Sequence, residues 1–296
     1  MACVGLPVLG AAREDEPSYP RDGAELLERL SAGPVVVLAT VVRVETKAAL
    51  QVREVLRGDS LPTTIRLAYR SNNLMRQPDS PPFQARDGEM AIFVLTPWVD
   101  SRGRQPKPDL YMPAGFAGAR IPLPPEGGEA LLVAVREIVL HQDDVSAGQE
   151  PRIRRWIAGP NPWLIDAGLV VAGRLAMADE DWVPVLLERL RDATPERRLR
   201  TLEVIAGAMA RGRIGDPGGD LEIDERVEAC QEAIVRLART DPEFEIRVAA
   251  VKALAQAGIP GAREILASIA KDDPSQEVRY EAAAALVKGV RGDPSR

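Results

Sequence analysis

The chain holds two cysteines and one histidine in 296 residues, and only 4% of it is aromatic. Cys3 and Cys230 are too few for a disulfide framework or a structural zinc site, which asks for well-spaced sets of ligands. With His141 alone, every His-rich metal centre is excluded. A His-dependent triad would rest on one residue in the hydrophilic stretch VLHQDD. Positive charge is also in short supply: the net charge is −6 and the isoelectric point near 5.2. Phosphate-binding surfaces are built from clustered Lys and Arg, so nucleic acid is not an expected partner. No run approaches the roughly 18 to 20 apolar residues of a membrane helix, so no integral membrane segment is expected. The chain shows no nucleophile beside a base, no paired carboxylates in an apolar setting and no cofactor fingerprint. The expectation is therefore a protein that is not an enzyme, with no catalytic, cofactor-binding or metal residues and no cofactor.

What is present is a folding-competent composition, 45% apolar and dominated by Ala, Val and Leu, in a chain long enough for two domains. Small aliphatic side chains suit closely packed helices better than a ring-filled core. Residues 1–12, MACVGLPVLGAA, are uncharged and end in small residues before a polar run. They read as the remnant of a secretory signal that lacks its basic start. Export to the periplasm or exterior is the expectation, with a cytoplasmic protein as the alternative.

Residues 22–32 read as a short helix, and the pattern then changes. Runs rich in β-branched residues at 34–45, 50–56, 63–70 and 89–98, with shorter candidates ending near Pro124, are separated by turn residues. Strands at this spacing with no helix between them predict a small antiparallel β-barrel. The succession of a long first strand, a second ending in EVLRGD, a third of TTIRLAY type and then PPFQARDGEMAIFVL resembles barrel domains of netrin-like or OB type over about 90 residues. The stapling cysteines of netrin-like modules are absent. A helix at 127–142 closes this domain, 22–145, and the polar DDVSAGQEP reads as the linker to 146–296.

In the second half, DPEFEIRVAAVKALAQAG (241–258) and DPSQEVRYEAAAALVKG (273–289) align at an offset of 32 residues. Asp caps the helix start and Pro fits its first turn. Ile246 or Val278, Ala250 or Ala282 and Leu254 or Leu286 share one helical face. A two-helix unit of this kind cannot bury its apolar face alone and must stack, which predicts an α-solenoid. Segments 161–178 with 181–192 and 194–210 with 224–240 read as earlier pairs, followed by 260–272 with its partner and a final single helix. The pattern Asp-Pro-x-x-Glu-Val-Arg-x-x-Ala-x-x-Ala-Leu resembles HEAT repeats, in particular the short kind of bilin-lyase-like proteins. By that resemblance Asp241, Arg247, Asp273 and Arg279 belong to a ladder of Asp and Arg contacts between neighbouring repeats, with Ile165 standing where an earlier Arg would be.

The resemblance also implies a function. HEAT-like arrays present a curved surface to a protein partner, with the helices carrying the Val-Arg pair on its concave side. Exposed Lys252, Gln256 and Lys288 are then the expected partner contacts. The alternative is a lyase or transferase related to the bilin lyases, cradling a small ligand. Other motifs take plainer readings. The acids Asp216, Asp220, Glu222 and Asp224 are spaced like a calcium loop, but Leu221 stands where Gly is needed and Val227 where Glu is needed. Arg-Gly-Asp at 57–59 reads as a turn, and Trp156, Trp163 and Trp182 as packing residues.

Overall fold

The computed structural model describes residues 19–44, 47–68, 87–99, 107–114, 119–141, 149–215 and 225–289. The apolar start, Cys3, the acids at 216, 220, 222 and 224 and a further Arg-Gly-Asp triplet of the sequence, at 291–293, lie outside them. The chain divides into two compact units, Met1–Asp143 and Asp144–Arg296.

The first unit opens with helix α1 (Gly23–Ser31), whose start is fixed by Asp22 accepting the amides of Ala24 and Glu25, each at 2.9 Å. Six strands follow: β1 (Val35–Val44), β2 (Lys47–Arg57), β3 (Thr64–Leu67), β4 (Met90–Pro97), β5 (Leu110–Pro113) and β6 (Arg120–Pro122). Five of them form a closed ring in the order β1-β2-β3-β5-β4, with β4 pairing back to β1, while β6 pairs antiparallel with Ala91–Phe93 of β4. The expected small barrel is thus present, with one refinement: β3 and β5 run parallel. A ring with an odd number of strands cannot alternate direction at every seam, so one parallel seam follows from closure itself.

Val35, Val37, Ala39 and Val41 of β1 meet Ala91, Phe93 and Leu95 of β4 inside the barrel. The opposite faces are covered too, since Val36, Ile92 and Val94 are fully buried. That is why the run PVVVLAT lacks clean alternation. Helix α2 (Gly128–His141) packs on β2 and on α1 and buries Leu131, Val135 and Ile138. Beyond β2 the chain turns at Gly58, whose φ of +111° favours glycine, and the Arg57 guanidinium donates to the carbonyls of Leu30 and Gly33. The Arg-Gly-Asp here is a structural corner.

The second unit is helical throughout its described residues: α3 (Glu150–Ala158), α4 (Pro162–Leu175), α5 (Val183–Arg189), α6 (Pro195–Ala210), α7 (Glu225–Thr240), α8 (Phe244–Gln256), α9 (Ala262–Asp272) and α10 (Gln276–Lys288), with a 3-10 turn at Glu180–Trp182. Helices α4, α6, α8 and α10 contact one another in succession and form one layer; α3, α5, α7 and α9 form the other. The pairs are α3/α4, α5/α6, α7/α8 and α9/α10, one helix out of step with the pairing read from sequence.

The slip has a physical origin in α3. Its polar surface and Pro151 look like a linker, yet Pro sits in the first turn, where its missing N–H is not needed, and Ile153, Trp156 and Ile157 are buried. At Gly168 of α4 an added Cβ would lie 2.9 Å from the Ile157 side chain, so α3 and α4 touch where no side chain intervenes.

Candidate functional site

Three turns within pairs share one construction. Each opens with an aspartate whose Oδ1 accepts the amide two residues on: Thr194 to Asp192 at 3.0 Å, Glu243 to Asp241 at 3.0 Å and Ser275 to Asp273 at 2.8 Å. Six residues after each aspartate stands an arginine whose Nη1 donates to the carbonyls of its own turn. Arg198 reaches Asp192 and Ala193 at 3.0 and 3.2 Å, Arg247 reaches Asp241 and Pro242 at 2.8 and 3.3 Å, and Arg279 reaches Asp273 and Pro274 at 2.6 and 3.1 Å.

With Nη1 anchored, the remaining edge of the guanidinium is aimed at the following pair. Arg198 grips both carboxylate oxygens of Asp241 at 3.2 and 3.1 Å, and Arg247 grips those of Asp273 at 3.0 and 3.1 Å. Only arginine carries enough donors in a fixed plane to serve two carbonyls and a carboxylate at once. The rung between Arg247 and Asp273 is buried, each residue being 7% exposed. Arg279 keeps the same anchor, but its carboxylate-binding edge meets no carboxylate among the described residues. Its expected link to a neighbouring repeat is not seen among the described residues, where no further turn of this kind follows α10.

The sequence reading missed Asp192 and Arg198. The head of their turn lies 49 residues before Asp241 rather than 32, since the connection after α6 is long. The spacing Asp-x5-Arg, common to all three turns, is the signal that would have found them. At the α3/α4 turn Asn161 fills the aspartate's place, accepting the Trp163 amide at 3.1 Å. Six residues on is buried Ala167, so the vacant arginine position is Ala167 and not Ile165. Its neighbour Asp166 instead accepts Arg197 of α6 at 2.9 and 3.3 Å, while Arg197 Nη1 donates to Asp192 at 2.8 Å. Burial raises the Asp192 pKa, but the Arg197 guanidinium and the Thr194 amide outweigh it and hold that carboxyl below its ordinary value.

Beside these rungs, α6 and α8 enclose an open groove of about 400 Å³. Leu199, Leu202, Val248 and Ala249 give it an apolar lining, with Gly207 at one end. Glu203, Glu245, Lys252 and Gln256 complete the wall, and all four are exposed. The groove thus brings together two of the expected contact residues, Lys252 and Gln256. Lys288 is exposed on α10 and does not line it.

Residues 183–287 match the family model for HEAT repeats. This segment is a HEAT-repeat array. No curated protein matches the chain. The array accounts for several residues singled out above. Cys230 is a fully buried residue of α7, and Trp182, just before the array, is buried with its Nε1 donating to Glu150 at 3.1 Å. Trp156 is buried and Trp163 half-buried. Outside the array, His141 is half-buried at the end of α2, 3.7 Å from Glu137. Among the described residues no group of three or more His, Cys, Asp or Glu could hold a metal ion, and no helix is long and apolar enough to cross a membrane.

Proposed function

We propose that this is a non-enzymatic protein-interaction module, in which the groove between α6 and α8 receives a segment of a protein partner. The observation that supports this reading most is the groove's make-up. Apolar Leu199, Leu202 and Val248 line it together with the acids Glu203 and Glu245 and the donors Lys252 and Gln256. Such a lining suits an amphipathic helix or extended segment whose apolar side chains enter while its polar groups meet the rim. The barrel, whose likeness to netrin-like or OB domains rests on strand pattern alone, supplies a second contact.

A photo-crosslinking residue placed at Gln256 tests the reading. It should capture a discrete protein, and Ala249→Arg, which fills the groove with a charged side chain, should abolish capture without lowering the melting temperature. Capture that is equal from exposed Glu232 on α7, or that survives Ala249→Arg, would remove the groove from the account. The lyase or transferase alternative makes a different prediction, a thermal shift on adding a tetrapyrrole that Ala249→Arg eliminates.

A further inference from the structure

The arginine rungs set the register of the layer formed by α6, α8 and α10, so residues equally far from each turn aspartate hold equivalent positions in it. Four residues after Asp192, Asp241 and Asp273 stands a glutamate each time, Glu196, Glu245 and Glu277, and all three are exposed. Seven residues after the aspartates the side chains are Leu199, Val248 and Tyr280. Leu199 and Val248 are half-buried in the groove lining, and Glu245 stands beside them. A row of carboxylates thus crosses the layer next to a row of apolar and aromatic side chains. Farther along the helices the charges offset one another, Arg200 against Glu281 in the next row and Glu203 against Lys252 after that, and only Lys288 follows. Negative charge is therefore concentrated at one edge of the groove.

We propose that the occupant of the groove is an extended, basic segment of the partner that crosses α6 and α8 with a Lys or Arg at every third residue. Charge complementarity selects the basic residues, since Glu196, Glu245 and Glu277 stand in one row that holds no cation. Helix spacing selects the period. Helices in contact, as α6 with α8 and α8 with α10 are, have axes about 8 to 10 Å apart. A polyproline-type segment returns to the same face every third residue, about 9.3 Å on. Its basic side chains then meet one glutamate per helix, and the residue after each meets Leu199, Val248 or Tyr280. A β-strand returns to one face about every 6.8 Å and misses this spacing. A helix would match it only at every seventh residue, and at about 10 to 12 Å across it is as broad as the whole interval between the axes. The narrower extended chain lets a side chain reach Ala249 between α6 and α8. The inference rests on the groove as a protein-binding site and adds the chemistry of what enters it.

The probe is a fluorescein-labelled peptide of four Lys-Leu-Pro repeats, which proline keeps extended. It should bind the full-length protein saturably, with half-saturation below about 1 mM. Four Glu-Leu-Pro repeats should bind at least about tenfold more weakly, and a peptide of the probe's composition with its lysines contiguous about fivefold more weakly. In the full-length protein Glu245→Lys should weaken binding of the probe about tenfold or more. Glu232→Lys, the same change of charge on the exposed surface of α7, should leave it within about twofold. Glu196→Lys should weaken it about threefold, so that a folding defect in one groove variant leaves the other to decide. Absence of saturation to about 1 mM, or binding that survives Ala249→Arg, would overturn the proposal. So would equal binding of the contiguous-lysine peptide or equal losses from Glu245→Lys and Glu232→Lys, which would mean attraction to the net charge of −6 rather than to this row. If any of these results accompanies capture of a protein from Gln256, the groove reading stands and the basic segment alone is sunk.

Discussion

The two units bury charge to different degrees. In the barrel unit the core cluster is wholly apolar apart from the hydroxyl of Tyr111, and the ion pairs lie outside that cluster, from exposed Arg66 with Asp109 and Arg136 with Glu54 to half-buried Arg120 with Glu89. In the helical unit lie all the buried polar or charged residues among those described: Gln149, Asp166, Thr201, Asp241, Arg247 and Asp273. The difference follows from how each fold sets its register. Strands are indexed by backbone hydrogen bonds, and a slip of one residue would turn every core side chain outward. Helices that meet through alanine have smoother surfaces. In the repeats, an arginine gripping the next turn at one point supplies the index that apolar packing does not. Buried ion pairs are poor sources of stability but good sources of specificity in such a role.

The sharpest way to break this comparison is to damage each unit by its own means. Phe93→Ala should cost the barrel unit about 3 to 5 kcal/mol, since a fully buried ring leaves a cavity that strand pairing cannot close. The helical unit's transition in urea should stay where it is. Ala282→Leu should cost the array about 1 to 3 kcal/mol, because Ala282 is fully buried and three added carbons overfill its site. An unchanged midpoint for Ala282→Leu would mean that α10 is not packed as a repeat.

The smallest expected effect is on pH dependence, and it appears in both units. Burial raises the Glu25 pKa, yet Arg21 and Arg29 outweigh it and bring that carboxyl to about 2; Asp192 is likewise held low. Carboxyls whose folded pKa is depressed stabilise the protein above their unfolded value of about 4 and lose that contribution as pH falls towards the folded value. Stability should therefore be flat above about pH 5 and decline below about pH 4. Glu25→Gln should shallow the decline for the barrel unit and Asp192→Asn for the array. An unaltered slope in either variant contradicts the assignment.

How much of this was legible in the sequence differs along the same line. The strands of the barrel could be read from β-branched runs and turn residues, but not the ring order, because the partners Val35 and Leu95 are distant in the chain. The repeats at 241–258 and 273–289 declared themselves through Asp, Pro and Arg at fixed spacing. The earlier repeat did not, since Asp192 and Arg198 fell outside the 32-residue period. Helix α3 was hidden by composition: Pro151 and four charged residues mask three buried apolar ones. Of the groove, Lys252 and Gln256 were within reach because a resemblance named the exposed face. Its apolar lining from Leu199 and Leu202 of a different repeat was not, as it depends on how α6 meets α8.

The central claim is that arginine rungs couple one repeat to the next, and a double-mutant cycle between Arg247 and Asp273 tests it most directly. Arg247→Ala, Asp273→Ala and the double variant would be unfolded in urea at pH 7. The account predicts that Arg247→Ala alone costs about 3 kcal/mol or more by leaving a buried carboxylate without its partner. It predicts a coupling of about 1.5 to 3 kcal/mol between the two positions. Losses that add to within about 0.5 kcal/mol would show that the two side chains act independently, and the ladder would then be a geometric pattern without energetic consequence.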